Sequence, residues 1–256
     1  MIASDQATNI FLRADATIKV AYAKSSQPLN NSLAFFTFKP EKMNTLQESD
    51  IQDLIFFPSF TNSMQYNRFT TSSNLRFGDA VTLGKFKAGD AIGFTLIQNF
   101  WDTATKYGPR SAWYSYDYSK SGYLNKCKQV FRTIRHLNPE PAGSDDLQAH
   151  TLLFSDIPNK LIVLSIENLH RGNEQFNDFG PWDYPIAHDF NDAILAIQVD
   201  PFDAVITDPI PDIKTGKSPQ TFAASGLNGQ ILWREVTEAP SVVDPIKAAK
   251  KLSKTK

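Results

Sequence analysis

The sequence predicts an all-β fold: an antiparallel, jelly-roll-like β-sandwich followed by a C-terminal β arm and a short helical or disordered basic tail. Three observations predict it. Short runs that alternate apolar and polar residues, or stay apolar for four to six positions, recur between Gly, Asn, Asp and Pro, as sandwich strands and their turns do. Helical periodicity is scarce along the chain. With 41% apolar, 12% aromatic and 21% charged residues, the 256-residue chain has material for a sizeable core and no disorder signature.

The expected strands cover residues 17–23, 33–38, 54–57, 80–86, 91–97, 112–116, 150–154, 160–167 and 193–199. Residues 80–86 and 91–97 read as a hairpin, because Lys87-Ala-Gly-Asp90 between them offers Gly89 for a positive φ. Ser49-Asp-Ile-Gln52 reads equally as a capping box opening a short helix or as a polar loop feeding the strand at Leu54. A sandwich domain is expected over 1–207 and a Pro-rich linker over 208–219, where Pro209, Pro211 and Pro219 cannot sustain a central strand. Residues 220–256 then form a β arm turning at Asn228-Gly229, and a tail capped by Asp244-Pro245 and spaced with Lys247, Lys250, Lys251, Lys254 and Lys256. The arm is expected to pack back or to reach a neighbouring copy, which makes a homo-oligomer or larger assembly the expected state.

Charge and motifs remove several function classes. The 26 basic and 27 acidic residues leave a net charge of -1, so no field draws the chain to nucleic acid. Cys127, the one cysteine, can form neither an intrachain disulfide nor a thiolate zinc site. The first residues lack the apolar stretch of a Sec signal peptide, and no run reaches the ~20 apolar residues of a spanning helix, so membrane insertion is not expected. His136, His150, His170 and His188 have no zinc-protease spacing, and neither a nucleophile elbow nor a phosphate-cradling loop is present. The chain therefore reads as no enzyme, with a polysaccharide hydrolase working through paired carboxylates as an alternative.

The chemistry-bearing residues crowd between Glu167 and Asp192. Glu167 ends one apolar run and Asp189-Phe-Asn-Asp192 opens the next, so antiparallel neighbours would bring these ends together. Glu167, Asp189 and Asp192 would then supply charge, and Asn168 and Asn191 neutral oxygens; Asp183 lies in the intervening loop. Such a hard-oxygen set suits Ca2+, which accepts six to eight oxygens in flexible geometry. The competing reading is a solvated acidic loop. A second cluster, Trp101, Trp113, Tyr114, Tyr116 and Tyr118, reads either as a ligand-binding surface for sugar faces or protein contacts, or as alternating core residues.

Several of these runs resemble the domain-of-unknown-function family numbered 4114: His150-Thr-Leu-Leu-Phe154, Lys160-Leu-Ile-Val-Leu-Ser-Ile-Glu-Asn-Leu169 and Asp189-Phe-Asn-Asp-Ala-Ile-Leu-Ala-Ile-Gln-Val199. Asn31-Ser-Leu-Ala-Phe-Phe36, Gly78-Asp-Ala-Val-Thr-Leu-Gly84, the run from Phe86 to Ile97 and Leu137-Asn-Pro-Glu140 are similar to it as well, so the resemblance spans residues of about 15 to 200. It implies a β-sandwich of secreted bacterial proteins and adhesins, with the Asp-Phe-Asn-Asp acids binding calcium and no catalytic residues. The chain departs from the pattern at Ala187 and Asn168, where the family carries acids, which reduces the charge available to an ion. The functional expectation is a calcium-binding module that meets a glycan or protein on a cell surface. It would work extracellularly, at a cell surface or on a virion; a structural part of a phage particle or secretion apparatus is the alternative.

Overall fold

The structure, a computed structural model, describes residues 5–24, 31–60, 77–97, 130–138, 148–167, 190, 192–213, 234–235 and 241–242. They form two six-stranded sheets packed face to face, so the fold is an all-β sandwich. The strands in chain order are β1 (Ile10–Phe11), β2 (Ala16–Lys24), β3 (Asn31–Phe38), β4 (Leu54–Phe60), β5 (Asp79–Phe86) and β6 (Ala91–Ile97). They continue with β7 (Val130–Arg132), β8 (Thr151–Asp156), β9 (Leu161–Ile166), β10 (Ala193–Asp200), β11 (Arg234–Glu235) and β12 (Ser241–Val242). The first sheet runs β1-β6-β3-β4-β12, with β7 also on β6; the second runs β11-β5-β2-β10-β9-β8. All pairings are antiparallel except the short β11–β5 pair.

Alternation explains the core. Leu33 and Phe35 of β3 and Ile92, Phe94 and Leu96 of β6 meet Ile18 and Val20 of β2, Leu164 and Ile166 of β9, and Leu195 and Ile197 of β10. Where the two-residue period slips, the backbone slips with it. Phe56 and Phe57 are adjacent yet both join the core, beside register irregularities in the β3–β4 pairing. Leu83 and Phe86 also both point inward, because Gly84, at φ +141°, sits opposite the irregularity between Ile18 and Lys19. Strand β9 is buried without interruption, and apolar but for Ser165, because its second face is covered too: Val163 packs with Ala23, Phe154 and Ile194. Gly93 has a different reason for being glycine, since the Phe36 ring lies flat over it and a Cβ there would run into the ring.

The expected hairpin at 80–97 does not form, although both strands and the turn do. β5 lies in the second sheet and β6 in the first, so Lys87–Asp90 is an arch crossing between sheets. A tight glycine turn says only that two strands follow each other closely; here their inward faces, Val81, Leu83 and Phe86 against Ile92, Phe94 and Leu96, bury more by facing than by pairing. The arch is tied to the opposite crossover between β1 and β2. Gly89, at φ +80°, donates its N–H to Leu12 O at 2.8 Å, Leu12 N–H donates to Asp90 O at 3.0 Å, and Ala88 N–H to Asp15 Oδ1 at 2.9 Å.

Asp90 closes this arch by accepting from Lys39 Nζ at 2.8 Å and from the Lys87 N–H at 2.9 Å. The hydrogen bond from Lys39 chiefly holds its carboxyl below the ordinary carboxylate range, against the opposing effect of partial burial. A lowered acid pKa stabilises the fold above the ordinary value, and that stabilisation is lost as pH falls through the lowered one. Asp90→Asn is therefore expected to cost up to about 1 kcal/mol at neutral pH, the range of exposed ion pairs. Thermal unfolding at pH 7 and at pH 2 checks this, with the difference from wild type closing in acid.

Two further expectations shift. The capping box lies two residues earlier than read: Gln47 and Asp50 make it, at the start of the 3₁₀ turn Glu48–Asp50, and no α-helix follows. The Pro-rich run expected to leave the sandwich at 208 stays on it through Ile213. Ser155 N–H donates to Pro211 O at 2.8 Å, Ile213 N–H donates to Ser155 O at 2.8 Å, and Ile210 is in the core. Proline suits this position because the strap lies along the outer edge of β8, where few ladder bonds are needed. Two pieces of the C-terminal arm also return to the sandwich, β11 on β5 and β12 on β4. The expected strand at 112–116, the turn at Asn228-Gly229 and the lysine tail lie outside the described residues.

Candidate metal site at the ends of three strands

β9 and β10 are antiparallel neighbours, with Ile166 opposite Ala193. One step further along this register sets Glu167 across from Asp192, so the two acids that the sequence places at separate strand ends come to the same edge of the second sheet. Both are buried, Glu167 to 1% and Asp192 to 2% exposure.

The third strand end belongs to β8. Thr151 pairs with Ile166, and the residue before it, His150, meets Glu167: Glu167 N–H donates to His150 O at 2.9 Å, and His150 Nδ1 lies 3.0 Å from Glu167 O. A carbonyl only accepts, so Nδ1 carries the proton of this bond. The imidazole is fully buried and stacks on Phe131 of β7, with centroids 4.2 Å apart and planes at 28°. On the other side, the chain enters β10 through Phe190, whose φ of +52° turns the backbone sharply ahead of Asp192. Ser165 Oγ donates to the Phe190 carbonyl and so fixes that turn to β9.

Of the six residues expected to bind metal, the structure describes Glu167 and Asp192, which stand at the ends of neighbouring strands; Asn168, Asp183, Asp189 and Asn191 lie outside the described residues. Trp101, Trp113, Tyr114, Tyr116 and Tyr118 lie outside them as well. Among the described residues, no three His, Cys, Asp or Glu side chains converge on a point that could hold a metal ion. The two carboxylates are hard, anionic oxygen donors, which fit calcium rather than a soft or nitrogen-seeking metal, and Ca2+ would require further oxygens beside them.

Sequence reasoning missed two features of this end of the molecule. His150 was read as the first residue of a strand and as one of four histidines without zinc-protease spacing, and no contact with Glu167 was expected of it; the strand itself begins one residue later, at Thr151. The second is a buried polar network nearby on β7. Arg132 there binds Asp53 and Glu48 across the first sheet, and its guanidinium lies 5.9 Å from the Phe36 ring centroid. Residues 53 and 132 are far apart in the chain and carry no motif, so only the tertiary structure pairs them. No helix among the described residues is long and apolar enough to cross a membrane. The fold defines the class as an all-β sandwich. No protein-family model, curated protein or solved structure matches the chain.

Proposed function

We propose that this chain is a non-enzymatic calcium-binding β-sandwich module that recognises a glycan or protein at an extracellular, cell-surface or virion site. The observation that carries the proposal is the register that sets Glu167 against Asp192, both buried, at neighbouring strand ends. Buried carboxylates at neighbouring strand ends are hard oxygen donors, and a divalent cation is a usual way to accommodate several of them in one place. Glu167 and Asp192 would hold the ion, with Asp189, Asn191, Asn168 and Asp183 as the proposed remaining donors. The resemblance to family 4114 singles out the same Asp-Phe-Asn-Asp element and supports the reading. Recognition is assigned to the aromatic cluster from Trp101 to Tyr118.

Melting in EDTA and in calcium tests the metal. An ion that binds only the folded state stabilises it by RT ln(1 + [L]/Kd), about 2.7 kcal/mol at a hundredfold excess over Kd. The expected result is a rise of that order in calcium, a smaller one in magnesium, which prefers rigid octahedral sites, and none for Asp192→Asn. A wild-type melt indifferent to calcium overturns the calcium reading. Glycan-array binding in calcium that disappears in EDTA is the outcome expected of the recognition role, and arrays blank under both conditions count against glycans.

A further inference from the structure

We infer that His150 is the positioning residue of the candidate ion site, holding Glu167 by both of its main-chain polar groups; this role rests on the calcium reading above. Glu167 stands just past the last paired residue of β9, Ile166, where a strand end would ordinarily fray. His150 prevents that in two ways. Its carbonyl accepts the Glu167 N–H at 2.9 Å, and its Nδ1–H donates to the Glu167 carbonyl at 3.0 Å. With N–H and C=O both engaged by one residue, the backbone on each side of the Glu167 Cα is set, and so is the direction in which its carboxylate leaves the chain.

The clamp is itself held. The imidazole stacks on Phe131, which is 1% exposed and belongs to the first sheet, so the ring cannot swing away without opening the sandwich. The segment leading into His150 is anchored to the same strand. Asn138 Nδ2 donates to Gln148 O at 2.7 Å and to Arg132 O at 2.9 Å, while Asn138 Oδ1 accepts from Arg132 N–H at 2.7 Å. A histidine kept only for packing would need neither the Nδ1–H nor this orientation; phenylalanine would stack on Phe131 equally well. The polar edge of the ring is what connects the first sheet to the acid at the end of β9. Outer partners of this kind typically change metal affinity by about 10- to 100-fold when removed, because they keep a ligand in its binding orientation.

His150→Phe keeps the stacking and removes the donor, whereas His150→Asn places an amide N–H close to where Nδ1–H stands. Amide hydrogen exchange in EDTA and calcium titration by calorimetry are measured on both variants and on wild type. The expected result for His150→Phe is faster exchange of the Glu167 amide without metal and calcium binding about tenfold weaker. His150→Asn stays close to wild type in both. Unchanged protection and affinity in His150→Phe overturn the inference while leaving the calcium reading intact, and so does an Asn variant no better than the Phe variant. A wild type that binds no calcium overturns the reading and this role together. If His150→Phe does not fold, His150→Gln, whose amide reaches past the Nδ1 position, replaces it with the same tenfold expectation.

Discussion

Replacing Arg132 with alanine will destabilise the protein by about 3–5 kcal/mol, the cost of breaking a buried ion pair on one side only. Arg132 is 5% exposed and Asp53 is 6% exposed. Nη1 donates to Asp53 Oδ2 at 3.0 Å and Oδ1 at 3.3 Å, and Thr95 Oγ1 completes the set, accepting from Nη1 at 3.0 Å and donating to Asp53 Oδ1 at 2.6 Å. The other edge of the guanidinium grips Glu48, Nε to Oε1 at 3.2 Å and Nη2 to Oε2 at 2.7 Å. Burial alone would lower the guanidinium pKa, but the Glu48 bond and the Asp53 charge hold it above its ordinary value.

The two acids do not weigh equally. Glu48 is 59% exposed and would return to water, whereas Asp53 would be left in the interior without its ionic partner. Urea unfolding of Arg132→Ala and of the double variant Arg132→Leu with Asp53→Leu separates these contributions. The double variant should recover much of the loss, since a pair replaced by apolar groups costs far less than a pair broken. Arg132→Lys should not recover it, because an ammonium cannot grip two carboxylates with a planar fork. A single variant that loses less than about 1 kcal/mol, the scale of exposed pairs, would mean that the pair is not buried as described.

Phe35→Ala is expected to cost a similar 3–5 kcal/mol, here through a cavity. Phe35 is 2% exposed and stands on β3 in the middle of the first sheet. Its ring packs edge-on against Phe86 of the second sheet, with centroids 5.8 Å apart, and tilted against Phe56 of β4 at 6.3 Å. Phe56 in turn meets Phe94 edge-on at 6.3 Å. Removing the central ring therefore takes contacts from both sheets at once, and paired strands cannot collapse to fill the space without breaking their ladders. Denaturant unfolding checks it, with Phe35→Leu expected to lose about half as much because most of the volume is kept. A small loss for Phe35→Ala would mean that the sheets do not meet through this ring.

The strand reading succeeded where burial is one-sided or complete. Residues 193–199 lie within β10, and 17–23, 33–38 and 91–97 lie within β2, β3 and β6, because alternation and unbroken apolar runs reflect which faces lose water. It stopped short at β1 and β7, strands of two and three residues that lie end to end along one edge of β6. Two or three residues carry no period, so their strand state comes from the neighbour they pair with. The placement of Glu167 and Asp192 at neighbouring strand ends was legible in outline, since an acid closing one apolar run and another opening the next come to the same end of the sheet when the runs are antiparallel neighbours. His150 was not legible, because nothing in the chain around it says that its ring faces the carbonyl of Glu167.

By itself the sequence determined that this is a β protein, which residues make its longer strands, which of their faces are apolar, and where acids crowd at strand ends. These follow from local composition and period, which act within a few residues. Only the tertiary structure decided that β5 and β6 face each other across the core instead of pairing, that the strap through Ile210 belongs to the sandwich, and that Arg132 neutralises Asp53. Each of those depends on contacts between residues distant in the chain, selected by total apolar burial and by the need to pair buried charge, which no local pattern records.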